Sequence, residues 1–73
     1  MVNPEDIKGW LEASLENASV LVEGDGQHFD AVIVSPDFRG KTRIQQHQMV
    51  YAALGDKMQK TIHALSMQTM TPE

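Results

Sequence analysis

The chain has 73 residues and a formal charge of −4, so it is a small acidic protein that buries only about 60% of its unfolded surface. It has no cysteine, which excludes disulfides and any thiolate metal site made by this chain alone, leaving histidine, carboxylate or methionine as its possible ligands. No apolar run can span a bilayer and the N-terminus is acidic, so a cytoplasmic, non-membrane protein with one domain over residues 1–73 is expected.

The first helix announces itself at Asn3, which can cap, with Pro4 at the first helical position and Asp6 three residues after the cap. Ile7, Leu11, Leu15 and Ala18 recur at helical spacing and form one buried stripe, and Trp10 covers an edge of the core beside it. From Ser19 the period shortens to two. Gly24-Asp25-Gly26 supplies the positive-φ residues of a hairpin, and strand two runs from His28 to Val34. Pro36 ends that strand, since proline cannot continue a paired ladder. After the loop Phe38–Lys41, Thr42 caps a second helix to about Leu54. Its apolar line is Val50, Leu54 and Met58, with Ile44, His47 and Tyr51 on an adjoining line. Gly55 breaks the helix, Asp56 caps a short third one to about Thr61, and Ile62 to Thr69 reads as strand three.

The order is α-β-β-α-α-β, an α+β fold with a three-stranded mixed sheet and helices packed on one face. Trp10, Leu11, Leu15, Phe29, Ile33, Val50, Leu54 and Leu65 should form most of one core. Strands one and two pair antiparallel through the tight turn. The long helical connection makes strands two and three parallel neighbours, related by a right-handed crossover. Parallel neighbours begin at the same end of a sheet, about 4.8 Å apart. His28 and His63, 35 positions apart, should therefore emerge together. Each alone has a plainer reading, His28 as a hydrated strand-edge residue and His63 as a hydrogen-bonding group near a helix end. Their convergence sets a metal-ligating pair beside these plainer readings without displacing them. Two imidazoles do not complete a site, so the remaining ligands would come from elsewhere, which favours a shared site at an interface.

Other constellations carry less. Residues 1–38 hold a net charge of −7 and residues 39–73 one of +3, with Arg39, Lys41 and Arg43 within five positions. That cluster fits a nucleic-acid or acidic-protein contact, but a solvated loop is the favoured reading. His47 reads as a structural histidine packed under the 36–41 loop. Gly24-x-Gly26 is no dinucleotide fingerprint, and HExxH, P-loop and nucleophile-elbow motifs are absent. Glu5 and Asp6 sit in a first helical turn, where they favour its dipole. No catalytic residue is expected.

The segment FRGKTRIQQHQMVYAAL, followed by IHALSMQTMTPE, closely resembles the BolA family. The matching elements are Phe38-x-Gly40, Arg43, His47, Val50-Tyr51, Leu54, and His63-Ala64 ahead of Thr71-Pro72. GDGQHF adds the hairpin and is similar to the subgroup with histidine rather than cysteine in that loop. The resemblance implies a KH-like fold of the second class and a non-enzymatic adaptor in iron–sulfur trafficking or iron sensing. Its implied partner is a monothiol glutaredoxin, in a heterodimer that shares a [2Fe-2S] cluster. The glutaredoxin supplies a cysteine and a bound glutathione thiol, and His63 and His28 are the ligands from this chain. No cofactor is expected on the chain alone, and a weak homodimer stays open beside a monomer. The competing implication is a DNA-binding transcription regulator, with Arg39, Lys41, Arg43, Lys57 and Lys60 as the contacts. The GXXG clamp of KH modules is absent between the second and third helices.

Overall fold

The computed structural model describes residues 2–62 and 64–72. In chain order it contains α1 (Pro4–Ser14), β1 (Ser19–Gly24), β2 (His28–Val34), a 3-10 turn (Pro36–Phe38), α2 (Arg43–Leu54), α3 (Lys57–Lys60) and β3 (Ala64–Met70). Both long helices begin at capping boxes. Asn3 and Asp6 exchange side-chain and backbone bonds at 3.0 and 3.1 Å, and Thr42 and Gln45 do the same at 3.1 and 2.9 Å. Such a cap contributes about 1 kcal/mol, enough to fix where each helix starts. Among the described residues, no helix is long and apolar enough to cross a membrane.

The sheet order is β1-β2-β3, antiparallel between β1 and β2 and parallel between β2 and β3. Alternation along the central strand buries Phe29, Ala31 and Ile33 against the helices. These join Ile7, Leu11, Leu15, Val20, Phe38, Val50, Leu54 and Ile62 in one apolar cluster. The opposite face is open, with Leu21 60% and Met70 42% exposed. Trp10 packs half-buried against its edge, in keeping with its place beside the α1 stripe, and Leu65, expected in the core, does the same.

Two local expectations are corrected. Asp56 stands at the N-cap of α3 but makes no side-chain cap, because its backbone is already helical and its carboxylate pairs with Lys60 at 3.4 Å. β3 begins at Ala64, not Ile62, whose N–H instead donates to the Lys57 carbonyl at 2.7 Å while its side chain enters the core. Ile44 and Tyr51, on the line adjoining the buried one of α2, are 71% and 44% exposed.

Candidate functional site

His28 opens β2 with its side chain exposed, and its backbone is braced from three sides. The Asp25 carboxylate accepts, through Oδ1, the N–H groups of both Gln27 and His28 at 2.9 Å. The Asp25 N–H donates to the His28 carbonyl at 3.2 Å. At Gly24 any Cβ would lie 2.5 Å from that same carbonyl oxygen and 2.5 Å from Phe29 Cδ1, so only glycine permits the approach. The bond from the His28 N–H, followed by that from Gln27, holds the Asp25 carboxyl below its ordinary value, since the charged form is the better acceptor. The expected pair of positive-φ glycines is thus half right. Gly26 has φ 101°, whereas Gly24 serves close packing. Asp25, absent from the sequence-derived site, is the residue that organises the tip. An aspartate whose carboxylate bonds the chain two and three residues on is a recognised turn signal.

The parallel register sets His28 opposite Ala64, and the Ala64 N–H donates to the Gln27 carbonyl at 3.0 Å. β2 and β3 therefore start at one end of the sheet. His63, the residue before Ala64 in sequence, lies outside the described residues. Among the described residues, no group of three or more histidine, cysteine, aspartate or glutamate side chains is gathered that could hold a metal ion.

At the other end of β2 the chain turns through Ser35 to Gly40. Ser35 is fully buried, with its Oγ accepting the Asp37 N–H at 3.1 Å, and Phe38 is fully buried in the core. Gly40 adopts φ +76°, a conformation that side chains resist, which accounts for the Phe38-x-Gly40 spacing. The sequence reads His47 as packed under this loop. The side-chain hydrogen bonds to the loop come from the neighbouring Gln46: its Nε2 donates to the carbonyls of Phe38 (3.2 Å) and Lys41 (3.0 Å), and its Oε1 accepts from Thr69 Oγ1 at 2.6 Å. His47, one helical step of about 100° further round, half-buried, lines a cleft of about 330 Å³ with Arg43 and residues Met67 to Met70.

The five basic candidates do not act as one set. Lys57 Nζ sits 5.0 Å from the centre of the Trp10 ring, and Lys60 is paired with Asp56. Arg39 donates to the Pro72 carbonyl at 3.3 Å. Arg39, Lys41 and Arg43 remain exposed around the start of α2.

The sequence profile described as BolA-like protein matches residues 11–73. The chain belongs to the BolA family. Among BolA relatives, the DNA-binding transcriptional regulator BolA of Haemophilus influenzae is 40% identical over 63 residues, covering 82% of this chain and 61% of that protein. The chain thus spans less than two thirds of that regulator's length. A BolA homologue from Coxiella burnetii superposes with a TM-score of 0.92 at 51% identity, covering 99% of this chain and 94% of the other. Yeast Fra2 superposes with a TM-score of 0.81 at 29% identity, covering 96% and 80%. The α+β fold is shared with both of these structures.

Proposed function

We infer that this chain is a non-enzymatic cytoplasmic adaptor that pairs with a monothiol glutaredoxin and shares a [2Fe-2S] cluster with it, in iron–sulfur trafficking or iron sensing. The observation that carries this reading is the start of the parallel ladder. His28 stands in register with Ala64, so the strand that His28 opens and the strand that follows His63 begin side by side. An exposed imidazole on a braced backbone is a ligand held at small entropic cost. The donor set suits a shared centre, because this chain offers nitrogen ligands and no thiolate, and the thiolates would come from the partner and its glutathione. Two histidine nitrogens on one iron raise a cluster's potential above that of an all-thiolate centre.

The test is reconstitution with a monothiol glutaredoxin, iron, sulfide and glutathione, read by visible absorption. The wild-type chain should give a mixed-complex spectrum distinct from that of glutaredoxin alone. His63→Ala should abolish it, and His28→Ala should shift it or shorten its lifetime. An unchanged spectrum from the double variant would sink the proposal.

A second reading, DNA binding, is favoured by the exposed Arg39, Lys41 and Arg43 at the start of α2 and by the name of the Haemophilus relative. The engagement of Lys57 and Lys60 elsewhere leaves few charges for phosphate. On this reading binding is weak and its salt dependence corresponds to about three phosphate contacts. A salt-titrated binding measurement on duplex DNA separates the two, since the cluster reading needs no DNA.

A further inference from the structure

β3 is an outer strand of the sheet, and no described strand pairs with its outward side. The Ala64 N–H donates to Gln27 and the Met70 carbonyl accepts from the Ser35 N–H at 2.9 Å, so the even-numbered residues of β3 direct their backbone toward β2. By the alternation of a parallel ladder, Leu65, Met67 and Thr69 direct both N–H and C=O away from it. No described residue takes these groups up. Outer strands are normally protected by charge or proline. The opposite outer strand, β1, carries Glu23, whereas Ala-Leu-Ser-Met-Gln-Thr-Met in β3 has neither protection over its seven residues.

The cleft of about 330 Å³ runs along this side. Four consecutive β3 residues, Met67 to Met70, line it. Successive side chains point to opposite faces, so a cavity that touches four in a row lies along the strand's flank. Its other wall is Arg43 and His47 from α2. No described carboxylate pairs with Arg43.

We propose that the free flank of β3, with Arg43 beside it, is a docking site for an extended acidic peptide segment of a partner protein, which adds as a fourth strand. Backbone bonds to Met67 and Thr69 would supply the affinity, and a carboxylate on Arg43 would set specificity. A second copy of β3 fits less well, because that strand has no acidic side chain to answer Arg43. The site is separate from the candidate ligand end. Thr69 pairs with Ile33 and Ala64 with His28, five residues or about 16 Å apart along the strand.

The experiment is amide NMR of the isotopically labelled full chain, titrated with a capped peptide of alternating valine and threonine bearing one central glutamate. Saturable shifts at the Met67 and Thr69 amides are expected. Replacing the peptide's glutamate with lysine should weaken binding about fivefold, the size of an exposed charge pair. Arg43→Glu should reverse that preference, and methylating alternate peptide nitrogens should abolish binding. Met67→Pro removes one outward N–H without taking a bond from β2 and should also abolish it. If that variant fails to fold, Arg43→Glu carries the test. The proposal is overturned by an absence of shifts at millimolar peptide, by shifts away from β3 and α2, or by equal binding of both charges. It is overturned equally by concentration-dependent self-association that protects the same amides before peptide is added, which would make a second copy the occupant.

Discussion

The two ends of β2 are held by different means. At Ser35–Gly40 the anchor is apolar: Phe38 is fully buried, and the polar groups around it bond to Gln46 and Ser35. At Gly24–His28 the anchor is a carboxylate in water, bonded to two N–H groups, with a glycine letting the strands close. Burial supplies free energy without direction, whereas hydrogen bonds in water fix direction with little net free energy. The first end can therefore stabilise the fold, and the second can aim a side chain without contributing much to stability. A ligand residue belongs on the second kind.

The largest effect should come from Phe38→Ala, which removes a fully buried ring and should cost about 3–5 kcal/mol. A chain of this length has a total stability of only about 4–11 kcal/mol, so thermal or urea unfolding should show most of it gone. A midpoint close to that of wild type would show that the apolar end is not the stabilising one. Gly24→Ala comes next, at about 1–3 kcal/mol for the forced contact with the His28 carbonyl and the Phe29 ring. Unlike the Phe38 change, it should also move the His28 backbone amide in an NMR spectrum; a stability loss with that amide unmoved would break the distinction. Gln46→Leu strips the donor from two loop carbonyls and should cost about 1–2 kcal/mol. His47→Ala breaks no described hydrogen bond and should cost less. The reverse order in urea midpoints would make His47, rather than Gln46, the residue that stabilises the loop.

The smallest effect on stability belongs to Asp25. Asp25→Ala should leave the melting temperature nearly unchanged while speeding hydrogen exchange at the Gln27 and His28 amides. Asp25→Asn, which keeps an oxygen acceptor, should restore slow exchange. Because folding lowers the Asp25 pKa, its bracing is fully present above the ordinary value of 3.8 and is lost as pH falls through the lower folded value. Tip order that fades already near neutral pH would mean that another group holds the turn.

Much of the frame was legible because it depends on signals local in sequence. Asn3-Pro4 and Thr42 mark helix starts, and the alternation from His28 to Val34 marks a strand. Chain connectivity alone then implied the parallel pairing of β2 with β3. The site was legible only in outline. Whether Gln46 or His47 meets the loop depends on one helical step of rotation, which an unevenly apolar helix does not specify. The burial of Phe38 depends on where the loop folds back, a tertiary event. Lys57 over Trp10 joins side chains 47 positions apart, and no local pattern announces such a contact.

The parallel register also has a consequence for the order of assembly. β1 meets β2 across a tip of three residues, Asp25 to Gln27, whereas His28 meets Ala64 across 36 positions. Loop-closure entropy favours the near pairing first. The hairpin, with α1 against it, is expected to form early, and β3 to dock late, after both intervening helices. During synthesis the His28 arm is then in place before the residues at the start of β3 have left the ribosome. The end of the sheet proposed to receive iron is completed only when the last strand arrives, so a nascent or truncated chain would carry the arm without its neighbour.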